Sequence, residues 1–199
     1  MSPEKERQLR ASFRAKVQDS EDPDRAASTN NKSIQWFQNT IKKSIDADPV
    51  QKPRVGKIYT FTYLAKHREV LKYWDRFPLS VCFSVGNDLW RSINLHYLPP
   101  KMRAEFLEEL LVEYANSPTR REGRVSDRTR LNINWNKLKQ FDRRIAEHAI
   151  TSYLYTHIKT PIMEVPPEDW HHIVGMPLQQ FMSQGQRFSA RKVWAGARR

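Results

Sequence analysis

The chain has 199 residues, with 34 Lys and Arg against 22 Asp and Glu, a formal net charge of +12. That length suits one folded domain with an arm, or two small domains, burying roughly 70% of the unfolded surface. Hydrophobic residues at 39% and aromatics at 11% exclude a wholly disordered chain, and the single cysteine excludes a disulfide framework or a cysteine-rich zinc site. No apolar run reaches the ~18 residues of a membrane span, and the polar start carries no signal-peptide core. A soluble, basic protein of a reducing compartment is expected.

Residues 1–55 read as an extended polar arm with short helices. Leu9, Phe13 and Val17 recur at four-residue spacing and predict a helix over Glu4–Gln18, and Ile34, Phe37 and Ile41 predict another over Ser33–Ile45. Three apolar residues cannot hold an isolated helix in water, so the arm is expected to order only against neighbours in an assembly. A folded core is expected over 56–182. Lys57–Ala65 alternates Tyr59, Phe61 and Tyr63 with Thr60 and Thr62, a strand pattern. Lys66–Phe77 reads as a connection, a short helix or a loop. Pro78–Val85 and Leu89–Leu98 alternate in the same way, and Gly86-Asn87-Asp88 between them is turn chemistry, which predicts a hairpin.

Pro99-Pro100 ends that strand and starts a helix, because proline is tolerated at the first helical position. Met102, Phe106, Leu107, Leu110, Leu111 and Tyr114 form its apolar stripe, with Glu105, Glu108, Glu109 and Glu113 expected to face away, and it should stop near Asn116. An arginine-rich loop follows, then a second long helix from Ser126 or Asp127 to about Ile158 through Trp135, Leu138, Phe141, Ile145, Ala149 and Leu154. Pro166-Pro167 starts a short turn, and Pro177 another short helix carrying Leu178 and Phe181. Residues 183–199 read as a basic tail. The fold class is therefore α+β: a small antiparallel sheet packed by two longer helices, flanked by the extended N-terminal arm and the basic C-terminal tail.

The charge is uneven. Residues 176–199 hold Arg187, Arg191, Lys192, Arg198 and Arg199 with no acid, and Arg120, Arg121, Arg124, Arg128 and Arg130 are diluted only by Glu122 and Asp127. Arginine's planar fork suits phosphate or carboxylate, so the charge reads either as contact with a polyanion, a nucleic acid or an acidic protein surface, or equally as a solvated face that keeps the chain soluble. Neither cluster lies on an amphipathic helix with an apolar stripe, so no membrane partner is expected. Phe13, Phe37, Phe188 and Trp194 sit in the two polar extensions with little else apolar around them, and are the candidate anchors for a protein partner. Trp194, between Lys192 and Arg198, could alternatively stack at a nucleic-acid end.

The six histidines form no metalloprotease spacing and lack cysteine partners, and no phosphate-cradling glycine loop exists. Glu105, Glu108, Glu109 and Glu113 could in principle hold a divalent cation for phosphodiester cleavage, but their helical spacing suits a solvated face. No cofactor, no metal and no catalytic residue is assigned, and the chain is not expected to be an enzyme. Cys82 reads as a small buried side chain. Asp75, Asn94 and His96 read as buried hydrogen-bonding groups that fix strand ends.

Six segments carry a resemblance: Gly56-x-x-Tyr59-x-Phe61-x-Tyr63, Tyr73 to Leu79 (YWDRFPL), Ile93 to Pro100 (INLHYLPP), Pro166 to Trp170 (PPEDW), Met176 to Phe181 (MPLQQF) and Val193-Trp194. Over about 56–199 the chain resembles a family of virion proteins of T-even-like contractile-tailed bacteriophages described as DNA end protectors. The resemblance implies a non-enzymatic virion component, assembled in the cytoplasm of the infected bacterium, that binds double-stranded DNA ends of the packaged genome and shields them from exonucleases. On that reading Arg120, Arg121, Arg124, Arg128, Arg187, Arg191, Lys192, Arg198 and Arg199 neutralise phosphates. The alternative is a structural subunit of the tail, baseplate or neck that clamps other virion proteins through its arm and tail.

Overall fold

The computed structural model describes residues 2–21, 52–116, 143–174 and 180–197. In chain order the elements are α1 (Pro3–Glu21), β1 (Ile58–Thr60), β2 (Trp74–Asp75), β3 (Leu79–Val85), β4 (Leu89–Asn94), α2 (Pro100–Ala115), α3 (Arg143–His148), β5 (Ile150–Leu154), β6 (Met163–Val165), α4 (Trp170–Val174), β7 (Phe181–Ser183), β8 (Gln186–Phe188) and α5 (Ala190–Gly196). Single 3-10 turns follow β4, β5 and β6 at Leu95–Tyr97, Tyr155–His157 and Pro167–Asp169. The architecture is α+β, as the pattern of alternation and helical stripes predicts.

Two antiparallel sheets organise it. The larger has the order β5-β4-β3-β1-β6 and the smaller β2-β7-β8. The predicted hairpin is β3–β4, with Ser80 opposite Asn94 and Val81 opposite Ile93. Alternation divides the side chains of the large sheet between two faces. Ile58, Leu79, Val81, Ile93 and Val165 join Phe106, Leu107 and Leu110 of α2 and Trp170 and Ile173 of α4 in one core. Tyr59, Cys82, Trp90 and Tyr153 project to the other face and cluster with Phe61, Tyr63 and Trp74. Burial pushes the Cys82 thiol up to about 12, so it stays protonated and inert.

Several expectations are corrected. The strand over Lys57–Ala65 stops at Thr60: the Thr62 N–H turns to the Thr160 hydroxyl, and only a single bridge, Tyr63 to Ile158, follows. Within the described residues the second long helix is limited to Arg143–His148, and Ile150–Leu154 is a strand on the outer side of β4. Ile145, Ala149 and Leu154 fit a helical period, but Ile150, Thr151 and Tyr153 favour a strand, and the open hydrogen-bonding edge of β4 decides between them. Phe181 lies in β7 rather than in a helix begun by Pro177, and 175–179 fall outside the described residues.

The extensions also differ from expectation. Helix α1 is ordered by its own chain: Phe13 and Val17 are buried against α2 and α4 in the main core. Glu108, expected to face away from α2's apolar stripe, is instead buried and accepts from Arg14 Nε at 2.7 Å and Arg10 Nη1 at 3.1 Å, while Arg10 reaches Glu109 at 2.6 Å. At the other end β7 and β8 form a two-residue hairpin. Gln184 (φ 47°) and Gly185 (φ 80°) both adopt left-handed backbone, the geometry of a type I′ turn, which glycine takes without strain. Helix α5 then packs back through Val193, which is fully buried. Residues on both sides of the expected limits at 55 and 183 thus share one core.

Candidate nucleic-acid interface

The site is built outward from a buried polar network. Strand β2 is only two residues long and is held by pairing with β7, Trp74 opposite Met182 and Asp75 opposite Phe181. That places the Asp75 carboxylate, 3% exposed, over the aromatic face of the large sheet. It accepts from the Asn94 side-chain amide at 3.0 Å, from His96 Nδ1 at 2.8 Å and from the Phe77 backbone N–H at 3.2 Å. Asn94 also donates to the Tyr153 hydroxyl at 3.0 Å, and its carbonyl accepts the His96 N–H, capping the 3-10 turn. Asp75, Asn94 and His96 thus fix strand ends, the role their sequence context predicts. Burial outweighs the neighbouring carboxylate and keeps the His96 ring neutral, its pKa below the usual 6.5.

Beside this network lies Arg103, 1% exposed, which sequence reasoning missed. Its guanidinium donates to the carbonyls of Leu95 at 2.9 Å, Val174 at 2.9 Å and Leu98 at 3.3 Å, tying the 3-10 turn, α2 and α4 together. Burial lowers its pKa to about 10, so it remains charged at neutral pH. An arginine directly after Met102 of the apolar stripe was the available signal.

Above Asp75 opens a pocket of about 500 Å³. Rings of Tyr63, Tyr73, Trp74, Tyr97 and Tyr153 line it, and Thr151 and Ser152 of β5 form part of its wall. Its rim is the turn 66–72, closed by the His67 carbonyl, which accepts from the N–H groups of Val70 and Leu71. The turn is basic, with Lys66, Arg68 and Lys72 exposed around one acid, Glu69, which pairs with Arg68 at 3.5 Å. Val70 is 82% exposed and Leu71 39%, an apolar pair at the tip of a charged turn. The Tyr73 hydroxyl bonds His148 Nε2, and Tyr73 stacks on Phe188 of β8 with centroids 5.4 Å apart. Burial first and the Lys72 charge second hold His148 below its usual pKa of 6.5.

The basic residues singled out in the sequence divide into two groups. Arg187 on β8 and Arg191 and Lys192 on α5 are exposed and form no ion pair among the described residues. Arg120, Arg121, Arg124, Arg128, Arg198, Arg199 and Phe37 lie outside the described residues. The other three expected partner anchors pack on their own chain. Phe13 is in the core, Phe188 packs against that core, and Trp194 is half-buried with its indole N–H donating to the His96 carbonyl at 2.9 Å. Lys66, Lys72 and the pocket went unnoticed in the sequence, where the run Lys66 to Lys72 reads only as a connection. Its dense charge around Val70-Leu71, between two aromatic segments, was the signal.

Chemically, the Asp75–His96 pair is sealed from solvent, and His96 Nε2 is buried with no hydrogen-bond partner among the described residues. Among the described residues no group of three His, Cys, Asp or Glu side chains is placed to hold a metal ion, and no helix is long and apolar enough to cross a membrane. Aromatic rings beside surface cations are the arrangement of a polyanion-binding surface.

The family model that matches this chain describes the Phage T4 terminal DNA protecting protein, and the match runs over residues 2–197. The chain belongs to that family, a bacteriophage family of DNA end protection. The match takes in α1 as well as the segments from Gly56 onward. Neither the curated proteins nor the solved structures yield a match.

Proposed function

We propose that the protein caps the ends of the packaged linear phage genome as a virion component, protecting them by occupancy and without making or breaking a covalent bond. The observation that carries this reading is the family match over nearly the whole chain. The exposed cations support it: Lys66, Lys72, Arg187, Arg191 and Lys192 can meet phosphates without first breaking an ion pair among the described residues. The occluded Asp75–His96 pair supports a non-catalytic role, since neither side chain can reach a phosphodiester.

A cap must prefer ends to continuous duplex. Phosphate contacts supply affinity but cannot tell an end from the interior, because every backbone position presents the same charge. The test is a competition in which a labelled linear duplex bound to the protein is challenged with an equal number of base pairs of covalently closed circle. It is run at low and near-physiological salt. The linear duplex should resist the circle at both. Equal competition, or loss of binding at physiological salt, would refute capping and favour a structural subunit of the tail, baseplate or neck.

A further inference from the structure

We propose that the aromatic pocket over Asp75 receives the terminal nucleotide of a linear duplex, with its base unstacked among the rings and its phosphate on the Lys66–Lys72 turn. The proposal rests on the end-capping reading and supplies what phosphate contacts lack, a feature that only an end can satisfy.

Three properties of the pocket select this occupant. Its size, about 500 Å³, falls within the range of small-molecule sites. Its rings can stack on any base, because every base has a π-face, so no sequence is read. Its charge is polarised: the Asp75 carboxylate lies beneath the floor and the rim carries Lys66 and Lys72. A phosphate is repelled from the floor and attracted to the rim, which orients a nucleotide base-inward. Three buried donors already occupy the Asp75 carboxylate, so it acts on an occupant through its charge and not by contact.

The turn supplies the other half of the device. Extruding an internal base breaks stacking on both sides, whereas a terminal base has one stacking neighbour, so extrusion is cheapest at an end. Val70 and Leu71 stand exposed at the tip of the basic turn, as an apolar wedge would, against the base left behind. Val70 in particular is 82% exposed beside three cations and is held in no core cluster of the described residues.

The experiment compares linear duplexes whose last nucleotides are intact or abasic, with closed circle as reference, using the full-length protein. Abasic ends should bind about 5- to 150-fold more weakly, the loss of one base–aromatic stack. Thr151 lines the pocket on the same face as Tyr153 and is half-buried, so Thr151→Trp fills the cavity at the cost of its hydroxyl bond to Ser92. This variant, checked as folded by its cooperative thermal unfolding, should bind intact ends as weakly as wild type binds abasic ones, and should bind the circle as wild type does. Lys66→Ala, on the exposed rim, should weaken intact ends more than circle. Wild type binding intact and abasic ends equally, or folded Thr151→Trp still distinguishing them, would overturn the proposal. If linear DNA still outcompetes circle in that case, end-capping stands and only the pocket assignment falls. If linear and circle bind alike, both fall.

Discussion

Replacing Asp75 by alanine strips the acceptor from three donors at once: the Asn94 amide, His96 Nδ1 and the Phe77 backbone N–H. Asn94 keeps its bond to the Tyr153 hydroxyl, so its loss is partial. A buried donor left without a partner costs about 1–3 kcal/mol, and two of these three are fully buried. Water entering from the adjacent pocket relieves part of that, so a loss of about 3 kcal/mol is expected. Asparagine at the same position keeps an acceptor for Phe77, and a neutral His96 that moves its proton to Nε2 can accept from the new amide. Asp75→Asn should therefore cost only about 1–2 kcal/mol. Equilibrium urea unfolding followed by tryptophan fluorescence measures both, and comparison of midpoints requires an unchanged denaturant slope. An Asp75→Ala protein within ~0.5 kcal/mol of wild type, or an Asp75→Asn protein less stable than it, would refute the network as the fastening of β2.

Glu108→Ala should release α1, losing about 1–3 kcal/mol together with hydrogen-exchange protection over residues 3–18. Retained protection there would mean that Phe13, Val17 and the Arg10–Glu109 pair suffice to hold the helix. Trp194→Ala removes the indole bond to the His96 carbonyl and half-buried ring contacts, and should lower stability by about 2 kcal/mol while freeing α5. Because the folded pKa values of His96 and His148 lie below 6.5, their neutral forms contribute stability that is complete above that pH. The contribution is lost as pH falls toward the lowered folded values. Melting temperatures should drop from about pH 7 to pH 5, and the drop should flatten when both histidines are replaced by glutamine; an equal slope in that variant would assign it elsewhere. Alanine at Arg187, Arg191 and Lys192 together should reduce the slope of log affinity against log salt by up to about 2.7, and no change would remove them from the interface.

The elements legible in the sequence were those whose signal is local. The β3–β4 hairpin followed from alternation on both sides of Gly86-Asn87-Asp88, and α2 from Pro100 and a stripe of four-residue period. The helix at residues 3–21 was legible for the same reason, but its destination was not: Phe13 and Val17 mark an apolar face without saying whose surface it covers. The buried roles of Asp75, Asn94 and His96 could be read from polar residues set inside aromatic and proline-rich motifs. Which of them meet could not, because the three come together only when β2 crosses the sheet to pair with β7.

Composition, periodicity and turn chemistry thus settled the α+β class, the central hairpin and the α2 helix, since each depends on residues a few positions apart. Tertiary structure decided what depends on long-range pairing. Residues 150–154 became a strand because β4 offered an edge. Glu108 turned inward because Arg10 and Arg14, over ninety positions away, arrive to neutralise it. Trp194 folded back because the His96 carbonyl accepts its indole N–H. The pocket is the furthest such case: its rings come from Tyr63, Tyr73, Trp74, Tyr97 and Tyr153, and only the pairing of β2 with β7 and of β5 with β4 places them around one cavity.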